Sequence, residues 1–112
     1  MGRKLEKSEW RPYFDRMSKG LVGKRAEIEV ASLNLGDQIA VEWVPLIGIV
    51  YDLKDDIVEV ALEDVDHLVW KPRTIYVEEE AGSLAGVEVI DAEGTHQIVK
   101  LRDPLALPAP LH

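Results

Sequence analysis

The sequence predicts a mainly β fold: a small antiparallel barrel or sandwich with one short N-terminal helix. Short apolar runs follow one another along most of the chain after Gly23, and turn-forming residues separate them about every eight to twelve residues. One helical pattern precedes these runs, and no second one lies between two runs to connect parallel strands. We therefore expect about seven short antiparallel strands.

The helical pattern lies between Ser8 and Leu21. Its large apolar residues recur at spacings that place them on one helix face: Trp10, Tyr13, Phe14, Met17 and Leu21. Ser8 is the expected N-cap, Pro12 fits the first turn, and Gly20 and Gly23 are expected to end the helix. Because a helix this short is marginal alone, its aromatic face is expected to cover an open end or face of the β structure. An exposed groove for a partner is the alternative for this face.

The first two strands are predicted on either side of a turn. Apolar and acidic residues alternate over Ala26 to Val30, as in a half-buried strand, and Asn34 to Asp37 supplies the turn. The second strand, Gln38 to Val44, is expected to carry three apolar residues on one face: Ile39, Val41 and Trp43. Pro45 and Gly48 then predict a bend, as at the corner of a small barrel.

The remaining apolar runs predict further short strands: Ile47 to Tyr51, Ile57 to Leu62, His67 to Trp70, Thr74 to Glu78, Val87 to Ile90 and Gln97 to Leu101. The connector Asp52 to Asp56 indicates a hairpin, and Gly94 can adopt the positive φ of the last hairpin turn. One β-rich domain is expected over residues 8–103. A flexible N-terminus, residues 1–7, precedes it, and a proline-rich tail, residues 104–112, follows it in extended polyproline II geometry.

Composition narrows the classes of function. The chain has 112 residues, enough for one domain, and its lack of cysteine excludes disulfides and thiolate zinc sites and fits the cytoplasm. A formal net charge of -8 opposes binding to nucleic acid or to anionic membranes. No apolar stretch approaches the roughly 20 residues that cross a bilayer. We therefore expect neither a nucleic acid nor a membrane as partner.

No segment combines residues into a recognisable catalytic or cofactor site. The acids of two loops are expected to be solvated: Asp52, Asp55, Asp56, Glu63, Asp64 and Asp66. The serines lack a nucleophile elbow, and the glycines form neither a phosphate loop nor a dinucleotide fingerprint. His67 and His96 lack the spacing of a zinc site. We expect a non-enzymatic protein with no metal and no cofactor.

The three tryptophans, Trp10, Trp43 and Trp70, carry the remaining signal, because large rings either fill a small core or anchor a partner. At least two are expected in the core, among them Trp43. Trp70 ends an apolar run beside Lys71 and is expected to be half exposed. With Tyr76 it is the best candidate for a contact residue, and Thr74 to Glu78, beside Pro72, is the expected edge strand.

Several segments between Trp10 and the end of the chain form a characteristic pattern: Trp10 to Phe14, Glu27 to Val30, Leu35 to Gln38, Trp43 to Gly48, Tyr51-Asp52, Asp66 to Leu68, Pro72 and Ile75 to Val77. This pattern resembles a family of small bacterial proteins defined only as a domain of unknown function. The segments look like signatures of a fold, and none is a catalytic motif. The resemblance implies a bacterial, cytosolic, single-domain protein, and it implies no activity and no functional residues.

Two hypotheses about function follow. The first is a protein-interaction or self-associating β module, with a homodimer or another protein as the partner. The alternative is a small-ligand or divalent-metal binding protein, whose pocket requires the side chains of Asp52, Asp66, His67 and Trp70 to converge. Across both hypotheses, the predicted contact residues are Asp66, His67, Trp70 and Tyr76.

Overall fold

The computed structural model describes residues 2–103, which form eight strands and two short helical segments. A 3₁₀ helix, Lys7–Glu9, leads directly into the α-helix α1, Trp10–Ser18. The strands are, in chain order, β1 (Arg3–Leu5), β2 (Arg25–Ser32), β3 (Gly36–Asp52), β4 (Ile57–Leu62), β5 (Asp66–Trp70), β6 (Pro72–Glu80), β7 (Ser83–Asp91) and β8 (His96–Arg102). The predicted proline-rich tail, residues 104–112, lies outside the described residues.

All eight strands belong to one curled antiparallel sheet that forms a half-barrel, in the order β1-β6-β7-β8-β2-β3-β4-β5. The prediction of a mainly β fold with one short helix is confirmed. The predicted last hairpin is present as β7 and β8, with Gly94 at a φ of 81° in its turn. Because the half-barrel does not close, β1 and β5 are its two edge strands.

The apolar residues of the sheet and of α1 meet in one core. On β4, Val58 and Val60 are buried while the residues beside them are not, as the alternation of a strand requires. Three aromatic side chains of α1 are at most 2% exposed: Trp10, Tyr13 and Phe14. The Trp10 ring contacts Tyr51 of β3 edge-on, with 5.1 Å between ring centroids. The aromatic face of the helix therefore covers the β structure, as predicted.

The end of α1 also completes the hydrogen bonding of β3. Pairing with β2 stops at Pro45, so the second half of β3 pairs only with β4. Ser18 Oγ lies beside this free edge, donates to the carbonyl of Ile49 at 2.7 Å and accepts from its N–H at 3.2 Å. One hydroxyl thus replaces a neighbouring strand at this position.

The start of the chain differs from the prediction. Ser8 is not an N-cap, since it lies inside the 3₁₀ helix, and the Glu6 N–H instead donates to Glu9 Oε1 at 3.0 Å. Within the segment predicted as a flexible N-terminus, residues 1–7, Arg3–Leu5 forms β1 and buries Leu5 to 2% exposure. A three-residue strand with one apolar side chain has no alternation to detect. Its position is fixed instead by its pairing with β6.

The pairing of β1 also overturns the predicted edge. Thr74 to Glu78 belongs to β6, which lies between β1 and β7 and so is an interior strand. The edge position beside β6 is occupied by β1, whose sequence carries no strand signal. None of the helices in residues 2–103 has the length and hydropathy that crossing a bilayer requires.

The predicted second strand and its successor are one strand of 17 residues, β3. The bend expected at Pro45 and Gly48 is a register shift between Leu46 and Gly48 within this strand. Another register shift, opposite Ile28 and Glu29, lies between Ile39 and Val41 and turns them to opposite faces of the sheet. Ile39 is therefore 51% exposed, whereas Val41 is 8% exposed. The prediction that both share a face is therefore wrong.

Trp43 is not in the core either, and among the three tryptophans only Trp10 is buried. Trp43 has a φ of 50°, in the left-handed region, and is half-buried. The Arg102 guanidinium lies over its ring, 4.6 Å from the centroid, and Arg25 donates to its carbonyl at 3.2 Å. Trp70 is 60% exposed, in agreement with its prediction.

Replacing Ser18 by Ala removes the group that satisfies both backbone atoms of Ile49. We expect the free energy of unfolding to fall by about 1–3 kcal/mol, because a partly buried N–H and C=O lose their partner. Chemical denaturation monitored by fluorescence measures this change. The matched control is Ser8→Ala, an exposed serine, for which we expect a change within about 0.5 kcal/mol. Equal losses in the two variants would contradict the role of Ser18.

Candidate functional site

The free edge of β5 presents unpaired backbone groups. Leu62 N–H donates to Val65 O at 3.0 Å and Lys71 N–H to Asp56 O at 2.9 Å, on either side of the β4–β5 pairing. Hydrogen-bonded pairs alternate in an antiparallel ladder, so His67 and Val69 turn their backbone groups towards β4. The other three residues of β5 alternate with these two, so their N–H and C=O groups point to the free edge: Asp66, Leu68 and Trp70.

The outer face beside this edge is unusually apolar for a surface. Of the ten exposed large apolar residues in the described part of the chain, six lie between residues 47 and 70: Ile47, Val50, Leu53, Val65, Leu68 and Trp70. The strand register places Val50, Glu59 and Leu68 in one row across β3, β4 and β5. Asp52, Ile57 and Trp70 form the next row. We call the outer sides of β3, β4 and β5 the β3–β5 face.

Two carboxyl groups meet in the middle of the β3–β5 face. The side chains of Glu59 and Asp66 share a hydrogen bond, which raises the pKa of Glu59. Partial burial and the negative charges of Asp66 and Asp52 raise the pKa of Glu59 further. The face therefore combines apolar side chains with concentrated negative charge, and this favours cationic groups on whatever binds there.

His67 lies on the other side of β5 and joins it to the β7–β8 hairpin. Its Nε2 is 2.5 Å from Gln97 Oε1, and Gln97 Nε2 donates to Asp91 Oδ2 at 3.2 Å. Because an amide oxygen only accepts, His67 Nε2 carries the proton of the first bond. Asp91 Oδ1 in turn accepts from the N–H groups of Glu93 and Thr95, which order the hairpin turn. This chain of bonds fixes the edge strand in place.

The structure divides the predicted contact residues among three places. Asp66 and Trp70 lie on the β3–β5 face, in register with Ala61 and Ile57. His67 points to the opposite side of the sheet, since successive residues of a strand alternate. Tyr76 lies on β6, between Lys4 and Glu88, in the other half of the sheet.

The four side chains of the ligand-binding alternative are not brought together on one face of the sheet: Asp52, Asp66, His67 and Trp70. His67 is separated from the other three by the sheet itself. Within residues 2–103 no group of three or more acidic or histidine side chains has a metal-binding arrangement. Sequence reasoning also missed Val50 and Leu68. The runs that contain them are apolar on both sides, so only the register across β4 reveals their shared face.

Replacing Glu59 by Gln is expected to raise the free energy of unfolding at pH 7 by on the order of 0.5 kcal/mol, because it removes repulsion on an exposed face. A carboxyl whose pKa is raised by folding holds its proton more tightly in the folded state, and this stability is lost as pH rises through the raised pKa. The advantage of Glu59→Gln should therefore shrink as the pH falls towards 4.

Denaturant titrations of both proteins at several pH values test this. Glu93→Gln, in an exposed turn, is the control and should show no comparable gain at pH 7. An advantage of Glu59→Gln that is equal at pH 7 and pH 4 would show that the shared proton is not its cause.

Comparison with known proteins places this fold in a family. The model of a family of unknown function, DUF5335, matches residues 1–110. An uncharacterised protein from Aquifex aeolicus (strain VF5) is 42% identical over 105 residues, which cover 93% of this chain and 95% of the relative. No solved structure matches the chain. The resemblance noted in the sequence is thus confirmed, and the chain belongs to the DUF5335 family.

Proposed function

We propose that this protein is a non-enzymatic interaction module that binds an extended protein segment along the free edge of β5. The observation that carries this proposal is the row of unpaired backbone groups at Asp66, Leu68 and Trp70, beside exposed apolar side chains. A segment that adds to an exposed sheet edge gains main-chain hydrogen bonds, and neighbouring side chains supply specificity. The cysteine-free composition supports the cytoplasm as the place of action.

The difference between the two edges of the sheet supports this assignment. β1 has three residues, and two of them, Arg3 and Lys4, are exposed cations. Short length and exposed charge are the usual protection of an edge against unwanted pairing. β5 has five residues, with neither lysine nor proline among them, and its exposed apolar side chains are Leu68 and Trp70. An unprotected edge next to an exposed tryptophan is what a binding edge requires.

The surroundings of β5 leave room for a bound segment. An open crevice of about 420 Å³ lies along it, lined by Leu68, Trp70, Lys71, Asp91, Ala92, Glu93 and Gln97. The bonds from His67 through Gln97 to Asp91 hold β5 in position before anything binds. An edge that is already ordered loses little conformational freedom on association, and this favours affinity.

Site-specific photocrosslinking in cells tests the proposal. A diazirine-bearing aliphatic residue in place of Leu68 should give a discrete covalent adduct, because a segment paired at the edge contacts this side chain. The same residue in place of Lys19, exposed just after α1, should give no adduct of that mass. Adding Trp70→Ala to the Leu68 probe should reduce the yield several-fold by removing the anchor. Equal adducts from both positions, or none from residue 68, would contradict the proposal.

A further inference from the structure

We infer that the segment bound at β5 is β5 of a second copy of this chain, paired antiparallel about Leu68. This inference rests on the proposed function and names its partner. It is drawn from the distribution of charge around the edge strand. Before β5 the chain carries Glu63 and Asp64, with Asp66 as the first residue of the strand, and after it come Lys71 and Arg73. The acidic and basic ends lie on opposite sides of Leu68.

Antiparallel pairing about Leu68 brings unlike charges together. Lys71, just after β5, comes opposite Val65 and beside Asp66 of the other copy, and Glu63 in the β4–β5 turn lies at the same end of the pair as Arg73 of the other copy. Parallel pairing of the same segments would set acid against acid and base against base. Charge complementarity therefore selects both the partner and the direction of pairing. A segment with an acidic start and a basic end complements a second copy of itself only when the two run antiparallel, and this arrangement has a two-fold axis.

The same alignment satisfies every backbone group that β5 leaves free. Leu68 of each copy exchanges N–H and C=O bonds with Leu68 of the other, as a hydrogen-bonded pair of an antiparallel ladder. Asp66 and Trp70 form the equivalent pairs on both sides of the axis. These are the three residues whose backbone groups point to the free edge. No other antiparallel register of two β5 strands pairs all three of these residues with one another.

Side chains on the β3–β5 face also fit this alignment. The two Leu68 side chains meet across the axis, with Cα atoms about 5.5 Å apart, and Trp70 lies beside Asp66 of the second copy. The two Asp66 residues stay four positions apart along the strands, about 14 Å at 3.4 Å per residue. This distance exceeds the screening length of about 8 Å at physiological salt, so the repulsion between these two carboxylates is largely screened.

Pairing of β5 with β1 of another copy is the competing arrangement, and two features oppose it. β1 offers only three residues. Such a contact is also head-to-tail, so each added copy exposes a new β5 edge and the assembly does not close. Pairing of β5 with β5 covers both unprotected edges at once and ends with two copies.

Light scattering coupled to size-exclusion chromatography over a concentration series tests the inference. The wild-type protein should reach twice the monomer mass. Leu68→Pro removes the N–H that faces the free edge, while pairing with β4 runs through His67 and Val69 and is retained. The dissociation constant should rise by about tenfold or more, since each tenfold step corresponds to 1.4 kcal/mol. Circular dichroism and thermal melting establish that the variant is folded.

A charge-reversal set provides a second test that does not alter β5. Glu63→Lys or Arg73→Glu alone places like charges at the same end of the pair and should weaken the dimer about threefold at low salt, as expected for exposed charges. Both changes in one chain restore opposite charges and should restore the wild-type dissociation constant. Leu33→Lys, a charge change at an exposed leucine of the β2–β3 hairpin, is the control for the charge reversals and should leave the dimer unchanged.

The outcomes separate this inference from the proposed function. A monomeric wild-type protein, together with a residue-68 adduct that contains a different protein, overturns the second copy as partner and leaves the interaction module standing. A monomer without any adduct overturns both. A dimer that Leu68→Pro and the charge reversals leave unchanged places self-association elsewhere on the molecule and overturns the inference. Mass spectrometry of the crosslinked product identifies the second chain.

Discussion

Backbone groups at the edge of a sheet need hydrogen-bond partners, and in this protein an open half-barrel makes that need unusually large. Stretches that lack a neighbouring strand on one side include β1, β5 and the two halves of β3, of which the first pairs only with β2 and the second only with β4. The structure treats them differently. α1 covers β3 through Ser18, β1 is short and cationic, and β5 is left accessible. Much of the architecture follows from this division.

The position of α1 follows from the uncovered part of β3. Ser18 fixes the end of the helix on Ile49, and this brings its aromatic face over the core. Two polar groups at the margin of the core then find partners. Tyr13 Oη donates to Glu79 at 2.6 Å, and burial together with this bond raises the pKa of the tyrosine. Lys24 Nζ donates to Ser83 Oγ at 2.8 Å and to the carbonyl of Leu84 at 3.1 Å.

Local sequence pattern predicts the elements of this fold better than their registers. The alternation in β2 and the Gly94 turn are properties of adjacent residues, so the sequence predicts both correctly. The bulge that separates Ile39 from Val41 depends on how β3 meets β2, so no alternation within β3 reveals it. The same limit applies to the candidate site. Exposure of Trp70 was predicted from its neighbours, whereas the opposite orientations of Asp66 and His67 require knowledge of the pairing with β4.

The pairing of β1 with β6 also affects how the chain is made. Leu5 pairs with Ile75, roughly seventy residues later in the sequence. At 5–20 residues per second, the ribosome needs about 4–14 s to deliver this partner. Until then Leu5 lacks the strand that pairs with it. The surrounding segment is rich in cations, namely Arg3, Lys4, Lys7, Arg11, Arg16 and Lys19. Charges that flank an unavoidable apolar segment oppose aggregation for as long as its partner strand is missing.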